Sequence, residues 1–295
     1  MKIITFDIEE WGLAKLGGYG SSEKYAEYDT YLNQILNKLD EDGCKGTFFC
    51  TGPMAEYFPQ IVKLIASRGH EIGCHSYYHT WMNKLSMSEA KEDTHKSVDL
   101  LEQCLGEKIY SYRAPAFSIG ESNLWMLEIL AENGITRDSS IFPTTRDLGG
   151  FPNFESQCPC LIQYNGVKLE EYPIPMATLC GRKIAYSGGG YFRFFPLEYV
   201  KREINKANYA MTYFHIGDLV PERSKALSKE AYESYFKEKG TIINRYKRHL
   251  KTNMGKKGAM NKLMRLVDNV PFDNIEKASS IIQWDQAPMV NLGLH

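Results

Sequence analysis

The stretch Lys2-Ile3-Ile4-Thr5-Phe6-Asp7-Ile8-Glu9-Glu10 starts apolar and ends in acids. Lys2–Phe6 reads as a strand. If the extended backbone continues past Phe6, Asp7 and Glu9, two positions apart, point to the same side. Glu10 then falls in a solvated acidic turn. Working outward, Tyr28, Tyr31, Leu32, Ile35, Leu36 and Leu39 recur at helical spacing, and Gly43 stops that helix. Gly46–Cys50 reads as the next strand, Pro53–Arg68 as a helix stopped by Gly69, and Glu71–Cys74 as a short strand. Ser86 or Ser88 caps a helix running to Leu105. A strand over Tyr110–Tyr112, a helix over Ser122–Asn133 closed by Gly134 and a strand over Ile135–Asp138 follow. This alternation is that of βα units around a parallel sheet. Residues 139–195 break the rhythm with Pro, Gly and aromatic residues, and with strands near Leu161–Tyr164 and Lys168–Tyr172. They read as an insertion over one face. A helix over Leu197–Asn208 and a strand over Ala210–Phe214, ending at His215, restore it.

The chain has 295 residues, 43% of them hydrophobic and 24% charged, which excludes disorder and collagen-like structure. Lys plus Arg is 35 against 36 Asp plus Glu, so nothing global points to nucleic acid. No apolar run approaches the ~18 residues of a membrane span. The run after Met1-Lys2 is too short for a signal h-region. The seven cysteines include no CxxC pair, and Cys158-Pro159-Cys160 is too close for an ordinary disulfide, so reduced thiols are expected. Together these features give the expectation of a cytoplasmic protein.

The chemistry-bearing residues gather at strand ends. Asp7 and Glu9 follow the first strand, His75 and His79 follow Glu71–Cys74, and Arg113 follows Tyr110–Tyr112. Asp138 and His215 each end a strand of their own. In a parallel barrel those ends share one mouth, where chemistry is normally found. His75 and His79, at i and i+4, suit one face of a helical turn and a shared metal; the bland reading is two surface or core histidines. A zincin protease is disfavoured, because position 76 is Ser rather than Glu. Asp7 and Glu9 fit a division of labour, one ligating a metal and the other taking a proton, or else a solvated acidic turn. Arg113 offers a guanidinium to orient a carboxylate, or a structural ion pair. His215 suits a general acid, or a histidine packed beneath a loop.

The order Thr5-Phe6-Asp7, His75-Ser76-x-x-His79, Arg113-x-Pro115 and a late strand ending in His215 resembles the polysaccharide deacetylase (NodB-homology) family, carbohydrate esterase family four. The resemblance covers roughly residues 1–220. It implies a distorted, incomplete (β/α) barrel, with a loop-rich insertion and a basic helical C-terminal segment in this chain. It implies hydrolysis of acetyl groups on glycans with a divalent metal, usually zinc, sometimes cobalt or nickel. Asp7 is then the general base, His75 and His79 are metal ligands, Arg113 tethers Asp7, and His215 is the general acid. Asp138 stands near the aspartate that tunes that histidine. The family's common TFDDG pattern is altered here: Ile8 replaces the metal-binding Asp, and the ligand role passes to Glu9, as in a subgroup with an Asp-x-Glu arrangement. Gly188-Gly189-Gly190-Tyr191-Phe192-Arg193 also resembles that subgroup, which is associated with surface-polysaccharide synthesis. There the glycines allow close backbone approach, and Tyr191 and Phe192 offer faces for sugar stacking, with Arg193 beside them; an ordinary turn is the bland reading. A backbone N–H near Ala116 is the expected oxyanion donor.

The barrel reading places residues 1–235 in one unit, with 139–195 over the active face, and 236–295 in a basic, mainly helical extension. From Phe236 to Leu266 ten Lys or Arg face one Glu. That run reads either as a solvated helix face or as a docking surface for anionic lipid or phosphate at the inner membrane surface. Ile242, Ile243, Tyr246 and Leu250 form an apolar stripe suited to packing on the barrel. The expected partner is an acetylated amino-sugar glycan or its nucleotide- or lipid-linked precursor. Two other readings stay open: a hydrolase of another C–N bond, such as a deformylase or cyclic amidase, with or without metal, and a non-catalytic glycan-binding protein.

Overall fold

A computed structural model describes the chain except residues 18–21, 147, 180, 222–225, 237 and 294–295. Its strands are β1 (Lys2–Ile8), β2 (Thr47–Cys50), β3 (Glu71–Cys74), β4 (Ser111–Tyr112), β5 (Arg137–Asp138), β6 (Cys160–Tyr164), β7 (Val167–Glu171), β8 (Met176–Leu179), β9 (Arg182–Ala185), β10 (Ala210–His215) and β11 (Met289–Asn291). The α-helices are α1 (Glu10–Lys15), α2 (Tyr25–Glu41), α3 (Gly52–Tyr57), α4 (Pro59–Ser67), α5 (Met87–Leu105), α6 (Met126–Glu132), α7 (Gly189–Phe194), α8 (Leu197–Lys206), α9 (Ile216–Leu219), α10 (Lys229–Phe236), α11 (Ile242–Asn253), α12 (Ala259–Val267) and α13 (Ile275–Ile281).

The main sheet runs β10-β1-β2-β3-β4-β5-β7-β6-β11. Every pairing in it is parallel except β6 with β7, which form a hairpin. Among the described residues no ladder joins β10 to β11, so the barrel stays incomplete, as expected. Asn165 and Gly166, both at positive φ, make the hairpin's two-residue turn, for which Asn-Gly is the strongest short signal. A second pair, β8 with β9, stands outside the main sheet.

Local chemistry sets the element ends. Ser86 caps α5 in a reciprocal box with Glu89, and Gly106 closes it in the left-handed region. The long helix expected over Pro53–Arg68 is two helices, because Pro59 starts a new first turn and Phe58 leaves helical geometry. On neighbouring strands inside the core, Phe6 stacks on Phe48 and lies tilted against Phe214. Residues 139–195 supply β6 and β7 to the sheet edge, and β11 adds a strand beyond them. Cys180 lies outside the described residues; the six described cysteines carry free thiols. No helix is long and apolar enough to cross a membrane among the described residues. The Ile242, Ile243, Tyr246 and Leu250 stripe does not pack on the barrel: all four side chains are exposed.

Candidate active site

Extension of β1 to Ile8 carries Asp7 and Glu9 to the C-terminal mouth of the sheet, where both are buried. Register puts Asp7 opposite His215 on β10 and opposite Phe49 on β2. The loop after β3 carries His75 and His79. It is no helical turn; Ser76 and His79 hold positive φ values of 62° and 55°. Left-handed backbone at non-glycine residues is strained, and such strain collects at functional loops. Buried groups of α5 hold the loop in place. Asp93 accepts the N–H groups of Tyr77 and Tyr78 at 2.9 Å each, and Ser97 Oγ donates to the Ser76 carbonyl at 2.8 Å. Asp93 was not singled out from the sequence; its only signal is an acid on the inward face of a helix.

The outcome is convergence. His79 Nε2 lies 2.6 Å and His75 Nε2 3.4 Å from Glu9 Oε2. One donor atom from each of Glu9, His75 and His79 falls within 4.8 Å of the others. His75 Nδ1 is 2.7 Å from the Arg113 carbonyl. A carbonyl only accepts, so Nδ1 carries the proton and Nε2 presents its lone pair to the cluster. Two imidazole nitrogens and one carboxylate oxygen, buried and aimed at one point, are a donor set suited to a divalent ion such as zinc. Burial alone would raise the Glu9 carboxyl. The facing imidazoles of His79, His215 and His75 instead hold it well below the usual carboxylate range.

Arg113, fully buried at the end of β4, organises the floor. Nη1 donates to Asp7 Oδ1 at 2.8 Å and to Thr5 Oγ1 at 2.7 Å. Nη2 donates to Ser139 Oγ at 2.9 Å, and Nε to the Ser139 carbonyl at 3.2 Å. Phe49 lies under the guanidinium, 4.3 Å from its ring centre. Asp7 is therefore fixed from one side, and its Oδ2 stands 3.6 Å from His215 Nε2.

The carboxylate against His215 is Asp218, not Asp138. Asp218 Oδ2 lies 3.1 Å from His215 Nδ1, and its Oδ1 lies 3.3 Å from Arg193 Nη1. Two residues separate His215 from Asp218 across the start of α9. That short-range His-x-x-Asp spacing was the missed signal. Burial acts to lower the His215 pKa, but Glu9, Asp218 and Asp7 together raise it well above the ordinary histidine range. About a third of the side chain (32%) stays exposed, and solvent there tempers the effect.

Asp138 sits elsewhere, opposite Glu171 in the β5–β7 register. Both are completely buried. Asp138 Oδ1 accepts from Ser140 Oγ at 2.5 Å, and Glu171 Oε1 from the Ile141 N–H at 3.2 Å. Burial raises the Asp138 pKa to about 6 and Glu171 well above its usual range, the latter also through the Asp138 charge and hydrogen bond. Two carboxyls in contact away from water cannot both ionise, so the pair shares a proton.

Three further expectations change on contact with the structure. Glu10 is not a solvated turn residue: it opens α1, is buried, and accepts the Gly217 N–H at the start of α9. Burial and the neighbouring Glu9 raise its pKa to about 7. Gly188 and Gly189 make room for Tyr213 of β10, where a Cβ on Gly188 would lie 2.3 Å from the Tyr213 carbonyl oxygen, whereas Gly190 has only the Arg193 guanidinium within 4 Å. Phe192 is core, edge-on to Phe214 at 4.9 Å, while Tyr191 is half-buried against the core. Arg193 is committed to Asp218 and to the carbonyls of Thr252 and Lys251. Ala116 lies in a left-handed turn (φ 55°) beside Trp81, Tyr232 and Phe236.

Residues 4–137, which carry Asp7, Glu9, both histidines of the β3 loop and Arg113, match the family described as Polysaccharide deacetylase. Residues 4–137 belong to the polysaccharide deacetylase family. Residues 139–280, which carry His215 and Asp218, match a family described as Domain of unknown function (DUF3473). A Bacillus cereus protein named peptidoglycan-N-acetylglucosamine deacetylase is 34% identical over 127 residues, 41% of this chain and 46% of that one. A peptidoglycan deacetylase of Helicobacter pylori is 33% identical over 135 residues, 43% of this chain and 44% of that one. The chain thus spans less than half the length of these curated relatives. A Mycobacterium smegmatis protein, described as a candidate polysaccharide deacetylase, shares the fold over 100% of this chain and 93% of its own, with a TM-score of 0.60 at 17% identity.

Proposed function

We propose that this protein is a metal-dependent hydrolase that removes the N-acetyl group from an amino sugar in a glycan or glycan precursor, in surface-polysaccharide synthesis. The observation that carries the reading is the convergence of Glu9, His75 and His79 beside an Asp7 that faces His215 at 3.6 Å. The names of the curated relatives support the same class of substrate.

Glu9, His75 and His79 would hold a divalent ion, zinc being the best match to two imidazoles and a carboxylate. Such an ion, when bound, polarises the acetamide carbonyl and acidifies a water. Asp7 is the general base: Arg113 occupies its Oδ1, which leaves Oδ2 turned to the mouth to accept the water proton. His215, kept protonated by its carboxylate neighbours, delivers a proton to the departing amine. Asp218 holds the His215 ring from Nδ1, and so Nε2 faces Asp7. The Ala116 backbone N–H is the donor offered to the oxyanion, since the Phe117 and Ser118 N–H groups close the turn on the Ala114 and Pro115 carbonyls. The half-buried Tyr191 offers a face to the sugar. Within this class a lipid- or nucleotide-linked precursor at the inner membrane surface is the preferred substrate, on the strength of the basic C-terminal segment.

The test is acetate release from N-acetylglucosamine oligomers by protein loaded with zinc or cobalt. Asp7→Asn should lower turnover by about 10²–10⁴ while metal content stays within error of the parent. Acetate release by Asp7→Asn at the parent rate would remove Asp7 from the base role. Formate release from a formamido sugar with no acetate release would change the acyl group.

A further inference from the structure

The helix α11 turns its polar side inward. Arg245 Nη1 donates to the Leu227 carbonyl at 3.1 Å, and Arg248 meets Glu238 at 3.4 Å and covers the Phe236 ring at 4.4 Å. Arg193 grips the C-terminal end through the Thr252 and Lys251 carbonyls at 2.7 and 3.1 Å. The other side is apolar and faces solvent. Ile242, Ile243, Tyr246, Leu250 and Met254 are each between 50% and 78% exposed. At helical spacing these five fall within an arc of about 120°. Exposed Lys247 and Lys251 run along one border, exposed Lys239 and Lys257 stand beyond the two ends, and Ile242–Asn253 contains no acid. Exposed Phe194 lies by the same end of the helix, because Gly255 approaches the Arg193 carbonyl so closely that a Cβ would come within 2.6 Å.

We propose that α11 is an interfacial helix that seats the protein on an anionic phospholipid bilayer, with its stripe in the acyl boundary and its lysines among the phosphates. An apolar face bordered by lysines and free of acids is what that surface selects. Antiparallel two-fold pairing with a second copy would set the lysine border of one helix beside the lysine border of the other, so the charge pattern favours lipid over that self-association. The position also fits. Phe236 of α10 packs on Trp81, two residues beyond His79, and Arg193 links the end of α11 to Asp218. The docking helix therefore borders the mouth that holds the cluster. The inference goes beyond the deacetylase reading and does not rest on it.

The experiment is cosedimentation of the full chain with phosphatidylcholine vesicles, with and without phosphatidylglycerol, at low and high salt. The parent protein should partition onto the anionic vesicles only, and less at high salt. Ile243→Glu with Leu250→Glu, and separately Lys247→Glu with Lys257→Glu, should each weaken partitioning by about tenfold or more. The melting curve should be unchanged in both, since all four side chains are exposed. No binding of the parent to anionic vesicles, or undiminished binding of both variants, overturns the proposal. A concentration-dependent dimer lost in Ile243→Glu/Leu250→Glu, without vesicle binding, assigns the stripe to a second copy and overturns it as well.

Discussion

His215 meets Asp218 at 3.1 Å through the ring nitrogen that faces away from Asp7. A carboxylate there fixes the tautomer and steadies the imidazolium. Asp218→Ala should lower kcat about ten- to a hundredfold while metal content is unchanged. Steady-state kinetics beside elemental analysis checks this; metal loss in step with kcat would give Asp218 a structural role at the cluster instead.

Arg113 serves four oxygen acceptors from a site with no solvent contact. Arg113→Met leaves the Asp7 carboxylate buried without its counter-charge. Such a break costs about 3–5 kcal/mol. Arg113→Lys should recover only part of that, because an ammonium cannot reproduce the planar fork. Urea unfolding of both variants measures it, and a loss below about 1 kcal/mol for Arg113→Met would contradict the assignment.

The protein should lose stability from its Asp138–Glu171 pair as pH rises. Asp138 sits at about 6 in the fold against an ordinary 3.8. Between those values the unfolded chain ionises while the fold keeps the proton, so the contribution present below pH 4 fades by pH 6. Glu171, raised further, extends the loss to higher pH. Glu171→Gln supplies a neutral donor to Asp138, so its stability relative to the parent should climb from pH 4 to pH 8. A pH-independent difference in urea midpoints would show that no proton is shared.

Asp93 touches neither the cluster nor its donor atoms, yet it fixes the backbone between the two histidines. Asp93→Ala should weaken zinc affinity by about 10–100-fold, as loss of an outer partner does. Competition with a chromophoric chelator reads this directly. Unchanged affinity would show that Ser97 and the loop's own contacts suffice.

The parallel sheet was legible because each strand is a short apolar run closed by a turn signal. The strand-end rule then gathered Asp7, Glu9, His75, His79, Arg113 and His215 at one mouth. Pleat parity alone put Asp7 and Glu9 on one side. The helical turn assumed for His75–His79 was wrong in its backbone: two left-handed residues achieve the same convergence, and nothing in Ser76 or His79 as residue types announces that. Asp218 escaped because an acid three residues past a strand looks like any surface turn. Arg193 and Phe192 were misjudged for a common reason. Their roles come from contacts with Asp218 and Phe214, and sequence patterns do not encode which distant side chain fills a space.

The division of the constellation between 4–137 and 139–280 has a consequence for ancestry. The seam passes between β5 and β7, which are hydrogen-bonded neighbours, and His215, the proposed proton donor, lies on the far side of it from Asp7, the proposed base. A gene fragment ending near residue 138 would encode a sheet with a raw edge and half of the proposed acid–base couple. Recombination that exchanged either portion alone would have to preserve the Asp7–His215 register between β1 and β10 across that seam.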